Sequence, residues 1–197
     1  MKSKVIALVM AMLGICNVYA NDVYIEQVGS SSTVTITQQG IGNEVGNSTS
    51  DVFIGSGSNT VTIDQVGDNN ILAMVVNGSS ADVTVNTQGS GNQQTIDCGT
   101  RGSAGCSGST ITQTVTGDDN IVTQNLGAGA NHTSNITVTG DTNTVTHTST
   151  ATGTTTMNAT ISGNQNTVGV TQSGMTTQNV TINSTGNSNN ITVNQSN

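Results

Sequence analysis

The stretch Met157-Asn158-Ala159-Thr160-Ile161-Ser162-Gly163-Asn164-Gln165-Asn166-Thr167-Val168-Gly169-Val170 decides the fold. Met157, Ala159 and Ile161 alternate with Asn, Thr and Ser, the period of a strand with one buried face. Gly163 to Asn166 then breaks the alternation with turn-forming residues, and Val168 and Val170 resume it. The same unit, Gly followed three places later by Asn, recurs at Gly40 and Asn43, Gly67 and Asn70, Gly89 and Asn92, Gly117 and Asn120, Gly140 and Asn143, and Gly186 and Asn189. The glycines are spaced 27, 22, 28, 23, 23 and 23 residues apart. A fixed period of this size is the mark of a repeat architecture. The two long spacings hold insertions, near 46–57 and 98–108. Further turn glycines, Gly29, Gly78, Gly127, Gly153 and Gly174, fall about half a period away. Each period of about 22–23 residues therefore reads strand, turn, strand, turn.

Working outward, the inward places can be counted from each main glycine. Six before stand Val34, Val61, Val83, Ile111, Ser134, Met157 and Val180. Four before stand Ile36, Ile63, Val85, Gln113, Ile136, Ala159 and Ile182; two before, Gln38, Gln65, Thr87, Val115, Val138, Ile161 and Ser184. Five after stand Val45, Leu72, Gln94, Val122, Val145, Val168 and Ile191; seven after, Asn47, Met74, Ile96, Gln124, His147, Val170 and Val193. Two short strands cannot bury such a face alone, but stacked periods close a thin continuous core. The expected fold is all-β, a β-solenoid of about seven stacked two-strand rungs. At ~4.8 Å per strand the rod is roughly 30 Å long. The turn glycines supply φ > 0 where the chain reverses, and the repeated Asn side chains form amide ladders along the stack.

Composition agrees. Aromatic residues are 2%, charged residues 7% and Pro is absent, while Thr, Val, Ile, Gly and Asn abound. That is too little bulky apolar material for one shared globular core, and the wrong bias for a disordered chain. Residues 1–20 stand apart. Lys2 and Lys4 precede the apolar run Val5 to Ile15, and Val18-Tyr19-Ala20 ends on a small residue. This is a secretory signal peptide, with residues 21–197 as the mature repeat domain. The run is too short for a membrane span. Cleavage leaves Arg101 as the one Lys or Arg against eleven Asp and Glu. Such a chain offers nothing to nucleic acid or to an anionic membrane surface, and added salt should speed any self-association. Cys98 and Cys106 remain. In an exported protein two cysteines this close pair as a disulfide, which closes a short loop for ~2.6 kcal/mol before strain.

No catalytic, cofactor or metal site is expected. The basic candidates are Arg101, in the cysteine loop, His132 and His147. His147 falls at an inward place and reads as a satisfied core histidine. Asp118 and Asp119 form a carboxylate pair, but in a turn, where Asp is common. Asn-x-Ser/Thr triplets follow from composition.

The residues at this point resemble the curlin repeat family, the subunits of bacterial curli fibres, whose motif runs Gln, any, Gly, any two, Asn, any five, Gln. Gln38 to Asn43 and Gln65 to Asn70 match its first half, and Asn166 to Gln172 and Asn189 to Gln195 its second. Gln27 to Gln38 fits except for Ser32 in the Asn place. Gln27, Gln38, Gln65, Gln172 and Gln195 are the expected amide-ladder glutamines. The chain departs from the family in keeping the Gln before Gly at only two main turns, in lacking an evident Gly- and Asn-rich export segment, and in carrying the cysteine loop. The resemblance implies an extracellular bacterial cell-surface fibre that supports adhesion and biofilm matrix. It also implies self-association as the main partnership, with a nucleator subunit and an outer-membrane export pore as further partners. A solenoid end presents unpaired backbone groups, and the repeat runs to Gln195 without a polar cap, so head-to-tail stacking is expected. The alternative is a monomeric secreted solenoid, a surface adhesin or an ice binder. Outward Thr columns (Thr35, Thr62, Thr84, Thr112 and Thr181; Thr37, Thr114, Thr137 and Thr160) suggest the last, though Asp64, Asn86, Asn135, Asn158 and Asn183 break them.

Overall fold

A computed structural model of the chain describes residues 20–27, 31–47, 52–55, 59–76, 81–97, 108–127 and 131–197. The expected signal peptide up to residue 19, Gly29, Gly78, Arg101 and the expected Cys98–Cys106 pairing lie outside the described residues. Among those described there is no helix, and all strands pair in parallel within two ten-stranded sheets. The strands that follow each Gly-x-x-Asn turn form the first sheet, and those that precede it the second. One register column of the first sheet runs Asp22, Glu44, Ile71, Gln93, Ile121, Thr144, Thr167, Asn190, which is eight levels. The matching column of the second runs Thr33, Thr60, Asp82, Thr110, Thr133, Thr156, Asn179, which is seven. The chain alternates between the sheets and advances one level per period. This is a β-solenoid, and its register steps are the glycine spacings of the sequence.

Alternation places the side chains as the sequence predicts, because a strand's successive residues face opposite sides. Val61, Ile63, Val83, Val85, Leu72, Met74, Val122, Val138, Val145 and Ile161 are all buried. One place is corrected. Val23 pairs with Val45, yet Ile25 pairs with Val52, so five extra residues leave the first sheet in mid-strand. Val52, at 0% exposure, takes the inward place assigned to Asn47, which is half-buried. The insertion thus departs between Gly46 and Val52, inside the 46–57 span. The first sheet also has a third inward column, nine after the glycine in Leu126, Ser149 and Gln172 and, beyond the insertion, fourteen after it in Ile54, all buried.

The core is two apolar segments. One holds Val45, Ile63, Leu72, Val85, Ile96 and Leu126 among others, and the other Val122, Ile136, Val145, Met157, Ile161 and Val170. Between them lie Thr87, Gln94, Gln113 and Gln124, all buried. At three of the four column ends the outermost residues are only partly covered, while Val180 and Ile182, which end the second sheet, are buried. Val23, Ile25, Val34 and Ile36 flank the first segment, and Ile191 and Val193 the second.

Candidate functional site

The main-turn edge is built by one side-chain type repeated at every level. Asn43 Nδ2 and backbone N–H both donate to Asn21 Oδ1, at 3.3 and 2.9 Å. Asn70 does the same to Asn43 (3.0 and 3.1 Å), Asn92 to Asn70, Asn120 to Asn92, Asn143 to Asn120, Asn166 to Asn143 and Asn189 to Asn166. The second Nδ2 hydrogen reaches forward. Asn70 donates to Gly89 O (2.7 Å), Asn92 to Gly117 O (2.8 Å) and Asn120 to Gly140 O (2.8 Å). An amide has two donors and an acceptor that accepts twice, so each Asn joins three levels. Burying such a group is tolerable because its donors and its acceptor find partners along the ladder.

The turn itself explains the glycines. Gly67 and Gly140 have φ of 115° and 111°. A Cβ on either would sit on the carbonyl of the glycine one level on, Gly89 or Gly163. The third turn residue is left-handed at each main turn: Gly42, Asn69, Gly91, Asp119, Thr142, Gln165 and Ser188. The second turn residue forms its own ladder. Asp68 Oδ1 accepts Ile41 N–H (2.9 Å), Asp118 Oδ1 accepts Ser90 N–H (2.7 Å), Asp141 Oδ1 accepts Asp118 N–H (2.9 Å) and Asn164 Oδ1 accepts Asp141 N–H (2.8 Å). Asp118 and Asp119 are therefore turn builders.

The five glutamines do not form one ladder. Gln38 Nε2 donates to Gln65 Oε1 (2.9 Å) inside the second sheet. Gln172 Nε2 donates to Gln195 Oε1 (3.0 Å) inside the first. Gln27 lies in register with Ile54, an apolar neighbour. A further amide chain crosses the middle of the core: Gln94 donates to Thr87 Oγ1, Gln113 to Gln94 and Gln124 to Gln113 (3.0 Å). His147 is wholly buried. Its Nε2 lies 2.9 Å from Gln172 Oε1 and its Nδ1 3.2 Å from Ser134 Oγ. The amide oxygen can only accept, so Nε2 carries the proton and Nδ1 accepts from the hydroxyl. Burial pushes the imidazole down to about 4; the Gln172 bond opposes this shift and His132 adds to it. His132, also buried, lies 2.6 Å from Thr155 Oγ1 through Nδ1.

The sequence reading did not anticipate several of these parts. Asn21 heads the Asn ladder, although Asn21-x-x-x-x-x-Gln27 has the spacing of the motif's second half. The left-handed third turn place has no single residue type to betray it. On the opposite edge, Ser32, Asn59, Ala81, Ser109, His132, Thr155 and Gln178 occupy one register column with no single residue type, and only some of them bond a neighbour in it, as Asn59 Nδ2 donates to Ser32 Oγ (3.4 Å) and Ala81 N–H to Asn59 Oδ1 (3.1 Å). Outside the second sheet the Thr columns are interrupted by side chains that bond one another: Asn158 to Asn135 (2.8 Å), Asn135 to Thr112 (3.1 Å) and Asn86 to Asp64 (2.8 Å). Among the described residues no group of three or more His, Cys, Asp or Glu could hold a metal. No helix among them is long and apolar enough to cross a membrane.

The geometry defines a class, a parallel two-sheet β-solenoid with a continuous Asn ladder along one edge and partly covered core columns at both ends. Compared with known proteins, the chain matches no family model, no curated protein and no solved structure.

Proposed function

We propose that this chain is a non-enzymatic structural subunit of an extracellular, curli-like amyloid fibre, and that it self-assembles by stacking the end of one solenoid on the end of another. The observation that carries the reading is that the first sheet's core column and the Asn ladder stay open at both terminal levels, and the second sheet's column at its first level. Val34, Ile36, Ile191 and Val193 are only partly covered, whereas their neighbours one level inward, Val61, Ile63, Val168 and Val170, are buried. Covering apolar surface gains ~25 cal/mol per Å², and each added level also pairs the backbone groups of an open edge. Residues 1–20, read as a signal peptide, and the curlin-like Gln, Gly and Asn spacing support export and a surface fibre. Adhesion, biofilm matrix, a nucleating subunit and an outer-membrane pore belong to the same reading through that resemblance.

X-ray fibre diffraction on the exported chain, incubated quiescently with salt, tests it. A ~4.8 Å meridional reflection with rising thioflavin fluorescence is the expected result. A chain that stays folded, monomeric and thioflavin-silent at high concentration sinks the proposal.

A further inference from the structure

The two outermost levels of the first sheet carry nearly the same strand. Asn21-Asp22-Val23-Tyr24-Ile25-Glu26-Gln27 opens the solenoid and Asn189-Asn190-Ile191-Thr192-Val193-Asn194-Gln195 closes it. Both have the ladder Asn first, inward aliphatics third and fifth, and an inward Gln seventh. The first sheet has eight levels and the second seven, so one of these two strands is surplus to a whole number of rungs. If copies met with both strands in place, Asn189–Gln195 against Asn21–Gln27, the second sheet would keep an empty strand place at every joint. Thr33–Gln39 of one copy and Gln178–Thr185 of the next would then stand roughly two strand spacings apart, ~9.6 Å. Val34 and Ile36, only partly covered, would face that gap, across from Val180 and Ile182.

Resting on the fibre reading above, we propose that assembly proceeds by strand exchange. Residues 189–195 of one copy take the place that residues 21–27 hold in the next, and the displaced strand is an end cap of the free monomer. The bonds transfer one for one. Asn43 N–H and Nδ2 now donate to Asn21 Oδ1. Asn189 Oδ1 is the equivalent acceptor and accepts nothing among the described residues. Asp22 N–H donates to Asn43 O (2.9 Å) and Tyr24 N–H to Val45 O (2.8 Å); Asn190 and Thr192 hold the same register places. Val180 and Ile182 then stack on Val34 and Ile36, and the joint becomes seven full rungs with no gap.

Charge favours the exchange. Asp22 lies directly beside Glu44 in register, and like charges directly opposite on neighbouring strands are destabilising. The span 189–195 has no charged residue, so Asn190 beside Glu44 removes the repulsion.

Intermolecular disulfides decide the joint. Parallel in-register neighbours lie within the Cα separation a disulfide accepts. Fibres are grown from 1:1 mixtures of exported full-length variants, N190C with E44C and N190C with D22C, and oxidised. A covalent dimer from the first mixture and none from the second, or from any variant alone, is expected. A dimer from the second mixture only, or from neither while fibres form, overturns strand exchange but leaves the fibre reading standing. Absence of wild-type fibres overturns both. A second variant needs no cross-link. D22K gives the cap an attractive partner in Glu44, so the lag before assembly should lengthen about threefold. An unchanged or shortened lag is the result expected of simple stacking and counts against exchange.

Discussion

The two edges of the solenoid solve the same problem, turning the chain between sheets, in opposite ways. The main edge uses one turn throughout, with a glycine at φ 109–118° and an Asn bonded to the Asn of the level before. The opposite edge presents Ser32, Asn59, Ala81, Ser109, His132, Thr155 and Gln178 in the same column, and the longer insertion, 98–108, departs on that side. A ladder bonded like to like fails at one level if a single member changes, so identity is enforced all along it. A column whose members bond to different partners tolerates substitution and insertion. Aliphatic columns are buried in both sheets behind the two edges, so burial alone does not impose the repeat. The repeat is imposed where the backbone needs φ > 0 and where an amide must meet an amide.

The largest expected effect breaks the main edge. Gly140→Ala forces an L side chain into φ 111° and drives its Cβ onto Gly163 O; backbone strain and overpacking together cost about 4–5 kcal/mol. Gly127→Ala, on the opposite edge, has its nearest neighbour, Ser149 O, at 3.1 Å and no positive φ, so it costs below about 1 kcal/mol. Urea unfolding of the monomer at low salt compares them, and equal costs would erase the distinction between the edges.

Next comes the amide itself. Asn120→Ala leaves Asn92 Oδ1, Gly140 O and the buried backbone N–H of Asn143 short of partners, a loss of about 3–4 kcal/mol. Ser109→Ala removes a buried hydroxyl that has no partner among the described residues, so it is neutral or stabilising by about 1 kcal/mol. The same unfolding measurement reads both.

His147 extends the comparison to pH. The unfolded chain binds its proton near 6.5 and the folded chain only near 4. Between those values the unfolded state holds more protons, so stability falls as pH drops through that window. The contribution is complete above about 6.5, and about 3 kcal/mol is gone by pH 4. His147→Gln should flatten the curve measured by denaturation from pH 7 to 4. An unaltered slope would place the titrating group elsewhere.

Much of this was legible in the sequence, because a solenoid writes its contacts into its period. Val61, Ile63, Leu72, Val122 and Met157 were placed by parity alone, and the register steps by counting glycines. Asn47 failed because parity cannot locate an insertion inside a strand; Val52 carries on the column five residues later. Gln27 failed as a ladder member because its neighbour one level on is Ile54, and a motif match does not report what lies across the stack. The Asn ladder's forward bonds to the glycine carbonyls were hidden, since they depend on how closely successive turns approach.

The smallest effect concerns the third turn residue, where the main edge enforces a conformation but no identity. Thr142 sits there at φ 60°, a place that costs a β-branched residue about 1 kcal/mol or more. Gly42 and Gly91 hold the same place at φ 67° and 69° without that cost. A Cβ at Gly42 or Gly91 would crowd Asn69 or Asp119 of the next level, so the left-handed bend, and not a side chain, is what the turn requires. Thr142→Gly should relieve the strain while loosening the unfolded chain, for a net gain of about 0.5 kcal/mol. Thr142→Asn keeps a side chain that tolerates this region and should gain about 1 kcal/mol. Were both variants less stable than the parent in thermal unfolding, the threonine would be making a contact that offsets its backbone, and the turn would be specified by identity at three places instead of two.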